Sequence, residues 1–315
     1  MTSGDGCHVW RKPLELFEDQ ERNVKICAPM VRYSKLPFRM LVRKYGCDLA
    51  FTPMILSDCF VKSVKARDSE FTTCKEDRPL VVQFAASNAQ DLADAAEIIA
   101  PYADGVDLNC GCPQRWAIQE GYGACLITKP ELVKDMVSQT RSRVSRSDFS
   151  VSVKIRLREN DKETVELCQR AEKAGASWIT VHGRTPSQRA QPVNFDAIKL
   201  IKENVSIPVV ANGDIKSLED CRMVRERTGV NGVMAARGML ENPAMFAGYD
   251  TTPVACVKDW LELAISVGTT YQCFHNHLIY MMEKALPRSE RRIFNALCST
   301  TAVLDYLSHN YDINI

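Results

Sequence analysis

The sequence predicts an α/β protein, a (β/α)8 TIM barrel followed by a small C-terminal all-helical domain. Eight short, β-rich apolar runs recur up to residue 238, and several are separated by amphipathic stretches. Strands that alternate with helices pair in parallel through right-handed crossovers. Eight such repeats favour a closed barrel. An open dinucleotide-binding sheet would carry G-x-G-x-x-G after an early strand, and the sequence has none.

The eight predicted strands cover residues 25–30, 48–54, 79–86, 105–111, 151–157, 177–183, 207–214 and 232–238. Three intervening stretches have clear helical signals. Residues 87–100 place their apolar side chains on one face behind a Ser87 or Asn88 cap. Thr128 and Glu131 have the spacing of a capping box, with Pro130 in the first turn. The helix that begins near residue 161 is expected to stop at Gly175.

The strand signals end after Asn242. Apolar positions between residues 256 and 309 predict three helices, with a linker near 247–255. We therefore expect an N-terminal extension at 1–24, a barrel at 25–247 and a helical domain at 248–315.

Length and composition are consistent with this division. The chain has 315 residues, and a barrel alone takes roughly 250. With 40 Lys+Arg against 39 Asp+Glu the net charge is +1, so nucleic-acid binding would need local basic patches. The 13 scattered cysteines include no C-x-x-C, and the sequence shows neither a secretory signal nor a membrane-spanning run. We expect reduced thiols, no metal, no membrane contact, and a monomer in the cytoplasm, with the nucleus left open.

Polar residues gather where the predicted strands end, which is where barrels of this type place their active sites. They are Gln83, Asn109, Lys154 with Arg156, His182 with Arg184, Asn212 with Asp214, and Arg237. Each alone is as well explained as a buried polar group or a loop charge. Their joint placement on successive strand ends indicates a site.

The last two strands predict the kind of ligand. They end in ANGDI and AARGM, glycine-bearing turns at the position where such barrels bind phosphate through backbone N–H groups. Lys154, flanked by Gln83 and Asn109, could face the pyrimidine edge of a flavin, where a cation stabilises the anionic reduced ring. FMN fits these features, and other phosphate-bearing ligands remain open.

Several motifs together resemble the tRNA-dihydrouridine synthases, in the same order and spacing across residues 25–247. They are APMVRYS, VVQFAA, GVDLNCGCPQ with GYGACL, VSVKIRL, ITVHGRT, VVANGDI and VMAARGML. The N-C-G-C-P segment with VHGRT downstream is the most specific of them. The segments CAPMVRYSKLPFR, GCPQRWAIQEGYGACL and NPAMFAGY look most like the eukaryotic branch associated with D-loop positions 20a and 20b.

This resemblance implies an FMN enzyme that reduces the C5=C6 bond of a tRNA uridine and is recharged by NADPH or NADH. It implies flavin contacts from Pro29, Met30, Val31, Gln83, Lys154 and His182, and contacts to the ribityl chain and phosphate from Asn212, Gly213, Asp214, Ala236 and Arg237. Asn109 and Arg156 would lie near the uracil. Hydride would pass from N5 of the reduced flavin to C6.

Cys112, the cysteine of G-C-P, matches the family's proton donor to C5 of the uracil. A thiol with an ordinary pKa of about 8.5 is mostly protonated near neutral pH and still releases its proton readily. Cys110 and Cys125 are expected to serve packing. Trp116 and Tyr122 could line the entrance for a base turned out of its stack, or simply pack in their loop.

Three basic patches are candidates for contact with the tRNA backbone. They are Lys62, Lys65 and Arg67; Arg141, Arg143 and Arg146; and Lys284, Arg288, Arg291 and Arg292. The third is favoured because the resemblance implies a tRNA-binding helical domain. For CFHNH at 273–277 we expect a solvated or capping role, because alternate helical positions cannot converge on one metal ion.

Two other functions are compatible with a barrel of this kind. A flavin-dependent reductase of a free pyrimidine, like the dihydroorotate dehydrogenases, would not need a basic helical tail. A catalytically silent RNA-binding barrel would not need the site residues named above, all of which are present.

Overall fold

The computed structural model describes residues 10–19 and 21–315. Within them the parallel strands are β1 Val24–Cys27, β2 Leu49–Phe51, β3 Ile55–Leu56, β4 Leu80–Ala85, β5 Gly105–Cys110, β6 Ser150–Arg156, β7 Ile179–His182, β8 Val209–Asn212 and β9 Gly232–Ala235. β2 pairs with both β1 and β4, and β1 pairs with β9, so the sheet closes on itself. The short β3 pairs with the last part of β4. The predicted (β/α)8 barrel is confirmed.

Helices surround the barrel. They are α1 Leu36–Lys44, α2 Ser57–Lys62, α3 Val64–Glu70, α4 Ala89–Ile99, α5 Arg115–Gln119, α6 Pro130–Arg143, α7 Asp161–Lys173, α8 Phe195–Asn204, α9 Leu218–Thr228 and α10 Arg237–Glu241. Turns of 3-10 helix lie at Leu14–Phe17, Gly123–Thr128 and Met245–Ala247. The first of these buries Leu16 and Phe17, and the Phe17 ring lies 5.6 Å from that of Trp178.

Two of the three helix signals are confirmed and one is wrong. Asn88 caps α4 by accepting from the Asp91 N–H, and α7 stops just before Gly175, whose φ is +95°. The predicted capping box at Thr128 does not form. Thr128 is the last residue of the preceding 3-10 turn, where its hydroxyl donates to the Cys125 carbonyl at 3.0 Å. The N-cap position of α6 is Lys129, so Thr128 lies one residue too early to cap it.

The C-terminal region is all-helical, as predicted, but in the described chain it has four helices rather than three. They are α11 Val254–Ser266, α12 Tyr271–Met282, α13 Arg288–Asn295 and α14 Thr300–Tyr311. The apolar positions from Ile293 to Leu307 are divided between α13 and α14. Ser299 separates the two helices, because its side chain accepts from the Ala302 N–H and starts a new helix there.

The C-terminal helices are attached to the loop after β1. Cys273 donates through Sγ to the Arg32 carbonyl at 3.3 Å, and His277 donates through Nε2 to the Tyr33 carbonyl at 3.2 Å. The His277 ring is fully buried, stacks on Phe38 at 4.5 Å, and has its pKa lowered to about 3 by burial. The helical region is therefore held against the segment that follows the first barrel strand.

The expected solvated or capping role of CFHNH is wrong for both histidines. His275 is 5% exposed, and its Nε2 donates to the Phe294 carbonyl of α13 at 3.0 Å. His277 is buried in the contact just described. These rings face other elements, a feature that composition alone does not reveal. Among the described residues, no cluster of His, Cys, Asp and Glu has the arrangement of a metal site. No helix in that part of the chain combines the length and apolarity needed to cross a membrane.

Candidate active site

Strand register brings the predicted polar residues together inside the carboxyl end of the barrel. Alternate residues of a strand point to the same face, so positions two apart on one strand both face the interior. The paired interior positions are Gln83 with Asp107, Asp107 with Ser152, Asn109 with Lys154, Arg156 with His182, and His182 with Asn212. Five neighbouring strands thus contribute to one polar surface.

A cavity of about 180 Å³ opens at this end of the barrel. Its lining includes Pro29, Lys154, His182, Asn212, Gly213, Asp214, Ala236 and Arg237, all predicted, and also Ala28, Arg184, Ile215, Lys216, Met234 and Gly238. Met30, Val31, Gln83, Asn109, Arg156 and Cys112 are not part of this lining. Two larger cavities, of about 1090 Å³ at the opposite end of the barrel and about 430 Å³ beside the C-terminal helices, have none of these polar strand-end residues in their linings.

The turns after β8 and β9 form one wall of the cavity, and a glycine in each turn packs closely against neighbouring protein atoms. Gly213 has φ +122°, and a Cβ there would lie 2.8 Å from the Val193 side chain. A Cβ on Gly238 would lie 2.5 Å from the Ile215 carbonyl oxygen. Neither position has space for a side chain, and both glycines line the cavity, so they present backbone to it, as in phosphate-binding turns.

Positive charge surrounds this wall. The Arg184 guanidinium is almost fully buried and pairs with Asp214, and Arg237 lies 3.5 Å from the same carboxylate. Arg184 Nη1 also donates to His182 Nε2 at 3.3 Å. Burial, and then the charges of Lys154, Arg156, Arg184 and Arg237, lower the pKa of His182 to about 2. His182 is therefore a neutral ring with its proton on Nδ1.

Lys154 forms the floor of the cavity. Its Nζ donates to Asn212 Oδ1 at 2.9 Å, and Asn212 Nδ2 donates to the Met234 carbonyl at 2.8 Å. Burial lowers the pKa of Lys154 to about 8, Asp107 opposes this, and Arg156 adds to it. An ammonium with this pKa is charged at neutral pH and lies close to its titration range.

Cys112 occupies the first turn after β5. Asn109 Oδ1 accepts from the Gly111 N–H at 3.0 Å and from the Cys112 N–H at 2.9 Å. Asn109 Nδ2 donates to Gln83 Oε1 at 2.8 Å. The Cys112 side chain is half-buried, and its carbonyl accepts from the Ala124 N–H at 2.9 Å. The backbone that carries this thiol is held on both sides.

The three cysteines of this region have different surroundings. Cys110 is fully buried, and burial raises its pKa well above the ordinary value. Cys125 is half-buried, and burial also raises its pKa. Both environments fit the expected packing role. Cys112 differs from them in lying close enough to Lys154 and Arg156 for their charges to interact with it.

The remaining predicted residues lie around the rim. Pro29 contacts the cavity, Met30 donates its N–H to Ser34 Oγ at 2.9 Å, and Val31 is 51% exposed. Arg156 Nη1 donates to the Thr185 carbonyl at 3.1 Å, so its guanidinium is turned toward the loop after β7.

Sequence reasoning missed two interior residues. Asp107 Oδ1 accepts from Ser152 Oγ at 2.6 Å, and Asp107 Oδ2 accepts from Gln83 Nε2 at 2.8 Å. The signal was available, because Asp107 is two residues before Asn109 and Ser152 is two before Lys154, so both pairs share a face. They are the layer beneath the predicted site.

Trp116 and Tyr122 behave differently from each other. Tyr122 is 8% exposed, packs near Ala85 and Ala117, and donates to Asp58 at 3.1 Å, which matches loop packing. Trp116 is 44% exposed, and its Nε1 donates to Gln114 Oε1 at 2.5 Å. Trp116 alone of this pair presents a large aromatic face to solvent.

Comparison with known proteins decides the family. A family model described as dihydrouridine synthase matches residues 26–305. A human protein named tRNA-dihydrouridine(20a/20b) synthase-like, whose name includes NAD(P)+, is 62% identical over 303 residues, which are 96% of this chain and 95% of that protein. The chain belongs to the dihydrouridine synthase family.

Two further matches give the range of similarity. A Schizosaccharomyces pombe protein named tRNA-dihydrouridine(20a/20b) synthase is 44% identical over 304 residues, 96% of this chain and 92% of that one. The old yellow enzyme from Trypanosoma cruzi has 11% identity and a TM-score of 0.51 over 70% of this chain and 86% of that chain. The second likeness concerns the barrel fold alone.

In this dihydrouridine synthase family member, the three basic patches differ in how available they are. Arg143 pairs with Glu97 at 3.2 Å and also with Asp94, Arg146 pairs with Asp148 at 3.1 Å, and Arg141 donates to the Phe149 carbonyl at 2.6 Å. Arg141 and Arg143 lie in the last turn of α6 and Arg146 follows it, at the opposite end of the barrel from the cavity. We therefore drop this patch as an RNA contact.

The other two patches remain. Lys62 and Lys65 are exposed, but Arg67 donates to the Phe60 carbonyl at 2.9 Å. The α13 patch, which we define as Lys284, Arg288, Arg291 and Arg292, has three exposed members, and Arg291 lies 3.9 Å from Glu283.

Proposed function

We propose that this protein reduces the C5=C6 bond of a uridine in the D-loop of tRNA, at positions 20a and 20b, with FMN as cofactor and NADPH or NADH as reductant. One observation carries the proposal. The half-buried thiol of Cys112 lies at the end of the barrel where Lys154 and the glycine-bearing turns at Gly213 and Gly238 line a cavity. The position assignment rests on the relatives whose names include 20a/20b.

The residues present fit FMN. The backbone turns at Asn212–Asp214 and at Ala236 with Arg237 would hold its phosphate and ribityl chain, because Gly213 and Gly238 leave no room for side chains and Arg237 adds positive charge. Lys154, Gln83, neutral His182 and the Pro29–Val31 segment would hold the ring. Bound FMN would supply the hydride for C6 of the uracil.

Cys112 supplies the proton for C5. A thiol can act as a general acid, and proton transfer from it leaves a thiolate. Lys154 and Arg156 are near enough to interact with that negative charge. The turn held by Asn109 fixes the height of Cys112 at the rim, and the second N–H of the Asn109 amide can contact the uracil.

The 248–315 region would bind the tRNA, with the α13 patch on its phosphates and Trp116 beside the extruded base. Light scattering would test the further expectation of a monomer.

The test uses purified protein with FMN, NADPH and unmodified tRNA, and mass spectrometry to map dihydrouridine. We expect product at 20a and 20b, and loss of at least a thousandfold in rate in Cys112→Ala, which keeps its bound yellow FMN. Cys125→Ala is the matched control and should retain activity. Reduction of free uracil or orotate without reduction of tRNA, or undiminished product from Cys112→Ala, would contradict the proposal.

A further inference from the structure

Asp107 is a fully buried carboxylate beneath the site, and the reaction described above does not use it. It lies on β5 two residues before Asn109 and is 0% exposed. Its two oxygens have separate partners, Ser152 Oγ at 2.6 Å and Gln83 Nε2 at 2.8 Å. A carboxylate is costly to bury, so a position of this kind needs compensating hydrogen bonds. Burial raises the pKa of Asp107 to about 6, so the group is ionised at neutral pH.

Asp107 is one end of a hydrogen-bond chain that has a single direction. At the other end the backbone N–H groups of Gly111 and Cys112 can only donate, so the oxygen of the Asn109 amide must face them. The Asn109 nitrogen then faces Gln83 Oε1 at 2.8 Å, and the Gln83 nitrogen faces Asp107. An ionised carboxylate only accepts, so it matches the last donor in the chain.

Rotation of either amide by 180° would break this order. A flipped Gln83 would place its oxygen against the Asp107 carboxylate and its nitrogen against the Asn109 nitrogen. Both clashes occur in a buried layer, since Gln83 is 1% exposed and Asn109 is 9% exposed. Unpaired polar groups in such a layer have no water to replace the lost partner. The carboxylate at one end and the two backbone N–H groups at the other end therefore require the same orientation of both amides.

We propose that Asp107 is the positioning residue for Cys112: through Gln83 and Asn109 it holds the turn that carries the thiol at the rim of the barrel. Asp107 is not part of the cavity lining, and two side chains, Gln83 and Asn109, separate it from the Cys112 turn. Its charge also acts on Lys154. The inference rests on the proposed function only in taking Cys112 as the proton donor.

The residue itself allows a sharp comparison of variants. Asp107→Asn keeps one oxygen for Gln83 and can point its nitrogen at Ser152, whose hydroxyl can accept as well as donate. Asp107→Leu has a similar shape and no acceptor, so Gln83 loses the partner that orients it. The Asn variant is thus the conservative rescue, and the Leu variant breaks the chain at its first bond.

The experiment separates the two half-reactions in stopped flow on protein carrying FMN. Asp107→Leu and Asp107→Asn both lose the charge that acts on Lys154, so we expect NADPH to reduce the two variants at rates within threefold of each other. We expect tRNA to reoxidise Asp107→Leu at least thirtyfold more slowly than the unchanged protein, with the dependence on tRNA concentration unchanged. Asp107→Asn should be reoxidised within fivefold of the unchanged protein.

In protein without flavin, the rate of Cys112 alkylation by iodoacetamide should change in Asp107→Leu and not in Asp107→Asn. These rates are measured in a Cys59→Ala/Cys298→Ala background, which removes the two exposed described thiols.

Other outcomes would overturn the inference. A general structural role would slow both half-reactions together or neither, and equal behaviour of the Asn and Leu variants would show that the acceptor is irrelevant. If Asp107→Leu does not fold, Asp107→Ala removes the same acceptors without adding bulk. That variant must then show slow reoxidation by tRNA without slow reduction by NADPH, both relative to Asp107→Asn. Failure of the unchanged protein to be reoxidised by tRNA would instead contradict the proposed function.

Discussion

At the scale of single residues, the site depends on glycines as much as on its polar groups. Gly123, in the GYGACL segment, packs directly on Cys112, and a Cβ there would lie 2.7 Å from the Cys112 carbonyl oxygen and 2.9 Å from its Cβ. Gly123 also has φ +66°, which L side chains rarely adopt. This glycine therefore determines where the backbone of Cys112 can lie.

Gly123→Ala should reduce dihydrouridine formation by at least tenfold while FMN stays bound, because the added carbon displaces Cys112. Gly268→Ala is the matched control, since it has φ +65° and nothing within 4 Å of the added carbon. Both variants should lose about 1 kcal/mol of stability from the backbone conformation. Single-turnover rates and urea unfolding measure the two effects. Equal activity losses in the two variants would contradict a contact effect on Cys112.

At the scale of elements, α1 is anchored to the chain before β4 by a buried ion pair. Arg39 of α1 and Asp77 approach to 2.6 Å, and their side chains are 1% and 0% exposed. Arg39 Nη1 also donates to the Ser34 carbonyl at 2.7 Å. Ser34 in turn bonds to Met30, in the segment proposed to hold the flavin ring. One arginine thus connects a helix, a loop and the rim of the site.

Arg39→Met should lower the free energy of unfolding by about 3–5 kcal/mol, because it leaves the buried Asp77 with the more distant Arg43 at 3.3 Å and the Thr73 hydroxyl at 3.2 Å. Arg222→Met on α9 is the matched surface variant. Arg222 pairs with Glu219 and Glu226 but is 59% exposed, so its loss should leave the urea midpoint almost unchanged. Similar midpoints for the two variants would show that the buried pair is not the anchor.

At the scale of the whole molecule, the four C-terminal helices of the described chain are held against the loop that follows β1. The contacts of His277 and Cys273 with the Tyr33 and Arg32 carbonyls fix them there. The net charge of +1 provides no general attraction for RNA, so the proposed tRNA contact needs a local basic patch, and the α13 patch is the one that we propose. This arrangement makes tRNA affinity separable from the chemistry in the barrel.

Arg288→Glu/Arg292→Glu should weaken tRNA binding by about tenfold or more and flatten its dependence on salt, because phosphate contacts release counterions. Lys173→Glu/Lys199→Glu makes the same charge change on exposed positions of α7 and α8 and is the control. Filter binding at several salt concentrations gives both quantities. A matching loss in the control would indicate a general charge effect and would remove the α13 patch from the proposal.

The sequence by itself determined the closed barrel, the helical C-terminal region and the family. Local periodicity encodes strands and helices, and motif spacing places residues such as Lys154, His182 and Arg237 at strand ends, where the carboxyl face of a barrel must gather them. Those signals lie within a few residues of each other along the chain, so they can be read without knowing the fold.

Only the tertiary structure decided which side chains touch. The chain from Asp107 through Gln83 and Asn109 to Cys112 depends on the register between β4, β5 and β6, and the burial of His277 depends on α12 packing against α1 and α11. Thr128 failed as a cap because it ends a 3-10 turn and the N-cap position falls on Lys129. In each case a neighbouring element decides the outcome, and local sequence patterns carry no record of that choice.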